Sequence, residues 1–291
     1  MSKQLTGGIM VLVGAMSYGI LATIVKYANN LGIHTAVLTF LQVFLGWAIL
    51  LILSQFEKKQ TAVKPNKLRL LAFGTTFGMT SIFYYLSIQY IAVSLGIILL
   101  MQSIWMSLLV EIFIHKQKPD IFKIIGTIVI MIGTILATNV LVDMHSIKWQ
   151  GIALGLLAAL SYTFSLYASN RIETQINPLI RSKYFILGAL LFVSLYWNVT
   201  IIKEFTNANS LFWGLLLALF GTVIPPLLFT RGFPLVGIGI GAIIASIEIP
   251  VSIFSAHLVL GERINGLQWL GVTLTIVSIL LVNYQSIRRK P

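Results

Sequence analysis

Ten apolar runs, each close to the ~20 residues a helix needs to cross a ~30 Å hydrocarbon core, constrain this chain more than any other feature. They fall near residues 8–28, 35–54, 68–89, 92–114, 121–142, 150–170, 182–202, 211–230, 236–260 and 264–285. No soluble core could hide so much apolar surface in 291 residues, of which 57% are hydrophobic and 10% charged, so the chain reads as an integral membrane protein. An apolar segment in lipid must satisfy its own backbone, and these runs lack the alternating period of barrel strands. The predicted fold is an all-α bundle of ten transmembrane helices. The first run follows Lys3 as a signal peptide would, but its length, its lack of a small-residue cleavage site and the nine runs after it make it the first span.

The formal net charge of +12 invites a nucleic-acid reading, which the placement of the basic residues argues against. Threaded with the amino terminus inside, sixteen of the twenty Lys and Arg fall on one side, leaving Lys26, Lys148, Lys203 and Arg263 on the other. That asymmetry is the positive-inside rule and predicts two cytoplasmic termini. The basic residues read as a solvated rim beside the membrane, with a secondary attraction to anionic lipid head groups. Membrane lipids and a small-molecule substrate are the expected partners; nucleic acid is not, and a monomer suffices. Cysteine is absent, which excludes disulfides, thiol catalysis and Cys metal sites; no metal or other cofactor is expected.

Laid on itself at an offset of 145, the sequence matches Gly96 with Gly241, Ser107 with Ser252 and Gly126 with Gly271, and keeps the apolar runs in phase. Ser17-Tyr18 and Ser161-Tyr162 match at an offset of 144. The chain therefore divides into two five-helix repeats, 1–142 and 143–291, the second ending in a basic tail. Residues 55–67 form a cytoplasmic loop, and 140–150 join the halves outside. Five is odd, so the second repeat must enter the membrane from the opposite side. Such inverted repeats let two similar halves exchange conformations and open a midplane site to either side in turn.

Within the run from Val236 to Leu260 stands one carboxylate, Glu248, twelve residues from either end. An ionised acid at that depth costs ~2.5–3.5 kcal/mol on insertion scales, so such groups face a bundle interior, a wet cavity or a counter-charge. Its repeat counterpart is Ser103, with Gln102 beside it, which predicts a polar centre near the pseudo-axis. There Glu248 would exchange a proton, pair with a substrate ammonium, or bond neighbouring hydroxyls as a structural carboxylate. Tyr18 and Tyr162 in equivalent helices, Tyr84 and Tyr85 in the third run and Trp105 in the fourth are candidates to line a cavity with amphipathic walls. Pro225 and Pro226 in the eighth run, and Pro250 just after Glu248, remove backbone donors and are candidate hinges. Gly74/Gly78, Gly151/Gly155 and Gly237, Gly239 and Gly241 permit close helix packing. Glu111 with His115 is expected at the cytoplasmic end of the fourth run, and Lys26 and Arg231 to snorkel to the interfaces.

The segments Ile247-Glu248-Ile249-Pro250 and Leu260-Gly261-Glu262-Arg263, followed by Gly271, resemble the EamA family of the drug/metabolite transporter superfamily. In that family a proline lies inside the penultimate helix, a Gly-Glu pair closes it and a glycine recurs in the last. The motifs concentrate in 237–285; in the first half His115-Lys116-Gln117-Lys118 stands where the Gly-Glu closure would be, with no proline before it. The resemblance implies a ten-helix secondary transporter that moves small metabolites, commonly outward, across the plasma membrane.

The motifs of other classes are missing. There is no HExxH, GxSxG or GxxxxGK[ST], the only deep acid is expected to be Glu248, and the four histidines lie near run ends or in loops, so neither an intramembrane enzyme nor a primary pump is indicated. A channel or a lipid scramblase stays open. Among carriers, export of amino acids or related compounds by alternating access, with or without proton coupling, ranks above multidrug or toxic-cation efflux. The expected setting is the plasma membrane of a bacterial cell, which the chain crosses many times.

Overall fold

A computed structural model describes residues 3–56, 64–91, 93–114, 116, 119–137, 148–205, 209–261 and 264–288. The expected Gly-Glu closure at Glu262 and Arg263, His115, Gln117 and Lys118 of the first half, the linker at 140–147 and the tail residues Arg289 and Lys290 lie outside them. Among the described residues every regular element is a helix. The first half holds α1 (Lys3–Asn30), α2 (Thr35–Phe56), α3 (Lys67–Tyr90), α4 (Val93–Leu100), α5 (Ser103–Phe113) and α6 (Ile121–Ala137). The second holds α7 (Trp149–Arg171), α8 (Pro178–Trp197), the short α9 (Val199–Glu204), α10 (Ser210–Leu217), a π-helical turn (Ala218–Val223), α11 (Ile224–Val236), α12 (Ile238–Ala245), α13 (Glu248–Leu260) and α14 (Gly266–Arg288).

Taking helices that continue through a break as one, eight among the described residues are long and apolar enough to cross a membrane, and two shorter apolar stretches cover Ile121–Leu136 and Gly266–Leu281. Their burial pattern is that of helices in lipid. On α6, Ile121, Ile125, Ile128 and Ile132 face outward, whereas Thr127, Ile130 and Thr134 are buried, so the apolar stripe points away from the protein and the hydroxyls point in.

Local chemistry sets the helix ends. Asn66 accepts from the backbone N–H of Arg69 at 3.1 Å, and Asn177 from that of Leu179 at 2.8 Å with Pro178 at the first helical position, both N-terminal caps. The Asn177 cap starts the seventh span at Pro178 rather than at the expected residue 182, and Asn198, at φ 39°, ends it. Asn265 and Gln268 exchange bonds reciprocally at 3.0 and 2.9 Å at the start of α14, a capping box. The glycine pairs act where helices cross: a Cβ on Gly78 would meet the Ala189 carbonyl at 2.8 Å, and one on Gly74 or Gly188 would strike backbone of the facing helix, which lets α3 and α8 approach to backbone contact.

Packing respects the two halves. The third helix of each repeat packs on the first of the other (α3 on α7, α11 on α1), the second helices pack on each other (α2 on α8), and so do the fifth (α6 on α14). Exchanging the halves leaves this pattern unchanged.

Two buried charges correct the sequence reading. Glu111, expected at the end of the fourth run, is 5% exposed and takes Lys123 of α6 as its partner at 2.6 Å, because α5 turns that face toward α6 and α12 rather than to water. Arg181, expected in the solvated rim, is 1% exposed. Its guanidinium donates to the carbonyls of Ile172 (2.8 Å), Thr230 (2.8 Å), Ala168 (3.1 Å) and Ser169 (2.8 Å). It thereby satisfies the open carbonyl end of α7, where a cation also meets the negative pole of the helix, and ties that end to α8 and α11.

Candidate functional site

The fourth span of each repeat is broken at its middle, and the breaks coincide. α4 stops at Leu100 and α5 starts at Ser103; 145 residues later α12 stops at Ala245 and α13 starts at Glu248. The bridging hydrogen bonds also correspond: Gln102 N–H donates to Leu99 O (3.1 Å) and Ile104 N–H to Met101 O (3.0 Å), matched by Ile247 N–H to Ile244 O (3.2 Å) and Ile249 N–H to Ser246 O (3.0 Å). In the second repeat Pro250 supplies a cause, since it cannot donate to Ser246 and its ring crowds that carbonyl. The break therefore falls before Glu248, not after it, and Pro250 sits in the first turn of α13, where a missing N–H is harmless. The first repeat has Trp105 at the corresponding position, so proline alone does not impose the break.

Glu248 thus occupies the N-terminus of a half-helix, where the peptide dipoles favour a carboxylate. It is partly buried and lines a cavity of about 90 Å³ together with Tyr18, Tyr84, Tyr85, Tyr162 and Gln42. The four tyrosines are all near enough to Glu248 to feel its charge. The rings of Tyr18 and Tyr162 meet edge-on with centroids 6.3 Å apart, and Tyr85 donates to Gln42 Oε1 at 3.4 Å. Tyr162 Oη and Glu248 Oε2 are buried without a well-formed hydrogen bond among the described residues, and they stand near enough for the phenol to donate to the carboxylate. Gly19 on α1 makes this convergence possible, since a Cβ there would meet the Glu248 carbonyl at 2.8 Å.

The far wall comes from the π-helical turn. Pro225 and Pro226 lack the N–H groups that would close an ordinary helix onto residues 221 and 222, and the chain widens into a π turn, with Ile224 N–H donating to Leu219 O. The expected interruption is therefore a swelling in a continuous helix. The freed carbonyl of Phe220 takes a bond from Ser17 Oγ at 2.6 Å, and Gly221 and Thr222 face the cavity.

Of the candidates read from the sequence, Glu248, Tyr18, Tyr84, Tyr85 and Tyr162 meet in this cavity, while Gln102, Ser103 and Trp105 do not line it. Ser103 is buried and Trp105 is 39% exposed. Two residues apart on a helix they point some 200° from one another, so one face could not hold both. Gln102 is satisfied locally, donating to Ile98 O at 3.0 Å and accepting from Trp105 Nε1 at 2.8 Å. Gln42 was missed; a side-chain amide inside an apolar run is the signal that marks it. Thr80, Ser165 and Thr222 also line the cavity, and hydroxyl residues are too common in such spans to stand out.

The model of the EamA-like transporter family matches the chain twice, over residues 5–139 and 149–284. No curated protein matches closely enough to count as a relative. Among solved structures, one crystal structure described only as that of a protein superposes with a TM-score of 0.82 at 12% identity, covering 99% of this chain and 100% of the other, which is a likeness of fold.

Proposed function

Because the chain belongs to the EamA-like transporter family, we propose that it is a secondary transporter that exports small amine-bearing metabolites, amino acids or related compounds, by alternating access around Glu248. It is a multi-pass membrane protein of that transporter family; on this reading it crosses a bacterial plasma membrane ten times with both termini cytoplasmic, and residues 1–142 and 143–291 are inverted repeats. The observation that carries the reading is the pair of corresponding helix breaks, one of them presenting the Glu248 carboxylate to a cavity. Broken helices at matching places in two repeats give each half a flexible point beside the site, the arrangement alternating access requires. Pro225, Pro226 and Pro250 serve as hinges, and Glu248 alternates between substrate and proton, so that release of one favours uptake of the other.

Counterflow in proteoliposomes tests this, with radiolabelled amino acids, nucleosides and cationic dyes, with and without an imposed pH gradient. Saturable counterflow that fails in a folded Glu248→Gln protein is expected. Flux that rises linearly with concentration indicates a channel, and a response to no compound overturns the reading. If a pH gradient never drives accumulation, exchange or facilitated diffusion replaces proton coupling.

A further inference from the structure

Resting on the transport reading above, we infer that the substrate is an organic monocation, an amine without a carboxylate, rather than a zwitterionic amino acid. The cavity is suited to one half of an amino acid and not to the other. On the receptive side, Glu248 Oε2 and Tyr162 Oη are buried without a well-formed hydrogen bond, the phenol lying near enough to donate to the carboxylate, and an ammonium has donors for both oxygens. The tyrosine rings offer the electron-rich faces that hold cations in cages of this kind.

Nothing comparable awaits a carboxylate. Among the described residues that line the cavity there is no Lys, Arg or His. Four of the nine hydroxyls that line it are committed: Thr80 donates to Thr76 O (2.8 Å), Ser81 to Phe77 O (3.3 Å), Ser165 to Ser161 O (3.1 Å) and Tyr85 to Gln42 (3.4 Å). A hydroxyl has a single proton, so each of these can now only accept. The N-terminus of α13 would ordinarily be an anion site, but Glu248 already occupies it. Ile249 and Val251 N–H are bonded to Ser246 O and Ile247 O, and residue 250 is proline. A substrate carboxylate would be desolvated beside Glu248 with no counter-charge among these residues and only neutral donors such as the Gln42 amide, a penalty that grows in low dielectric.

Three ligands sharing one ring and differing in charge test this: phenethylamine, phenylalanine and 3-phenylpropionate, each measured for binding to the purified full-length protein and for counterflow in liposomes. Phenethylamine is expected to bind at least about tenfold more tightly than phenylalanine, with 3-phenylpropionate weakest. Glu248→Gln, checked for monodispersity and thermal unfolding, should lose about tenfold or more of the phenethylamine affinity, and Tyr162→Phe a smaller part. The wild-type ranking stands even if a variant fails to fold. Phenylalanine binding as tightly as phenethylamine overturns the inference while leaving transport at Glu248 intact. Counterflow of these compounds that is indifferent to Glu248→Gln removes the site itself. Binding of none of the three also overturns the inference.

Discussion

Arg181 and Glu111 show how a buried charge is made tolerable, and each permits a test. Arg181→Met would remove a donor from four carbonyls at the junction of α7, α8 and α11, of which Ala168 O keeps the Ile172 N–H. Thermal unfolding in detergent should report a loss of ~3–5 kcal/mol, the range seen when buried networks are broken, with Arg181→Lys intermediate because an ammonium cannot reproduce the planar fork. Lys123→Met strands the Glu111 carboxylate and should cost a similar ~3–5 kcal/mol, most of it recovered when Glu111→Gln is added. Neither role could be read from sequence, because Arg181 and Glu111 stand at the ends of apolar runs, where charge usually means solvent. Glu248 was legible for the opposite reason: a lone acid in the middle of a run has no solvated explanation.

Helices broken or widened at mid-length are the elements on which the proposed mechanism depends. Pro250→Ala restores a donor, yet the first repeat is broken without any proline, so the break should persist and stability should change by less than ~1 kcal/mol, read as a small shift in unfolding temperature. A double Pro225→Ala and Pro226→Ala chain, in contrast, can close ordinary helical bonds across residues 218–223. It should stay folded but lose transport, since tightening the π turn withdraws Gly221 and Thr222 from the cavity wall; counterflow at the wild-type rate would refute the hinge role. At the crossing of α3 and α8, Gly188→Val should prevent assembly, because its Cβ meets backbone that cannot give way, whereas Gly266→Ala, with open space around it, should be neutral. Sequence placed these helices by hydropathy and their glycines by spacing. It missed the break in the fourth span because Met101 and Gln102 carry no breaking residue.

At the scale of the molecule, the packing is unchanged when the two repeats are exchanged, and the orientation of each is open to direct measurement. With no cysteine in the chain, single substitutions serve as reporters. A membrane-impermeant maleimide should label Lys148→Cys in intact cells and Lys64→Cys only after permeabilisation; the reverse pattern would invert the proposed topology.

What the sequence determined by itself was the solvent: apolar runs of membrane length force helices, because in lipid each segment has to satisfy its own backbone, and an internal match at one offset makes those helices a repeat. It also singled out Glu248, since a charge in hydrocarbon is costly wherever the neighbours stand. Only the tertiary structure decided which side chains share the cavity. Facing depends on helix rotation and crossing, which hydropathy leaves free when every side of a span is apolar, so Tyr18, Tyr84 and Tyr162 came together with Gln42 while Trp105 turned outward and Ser103 into the packing.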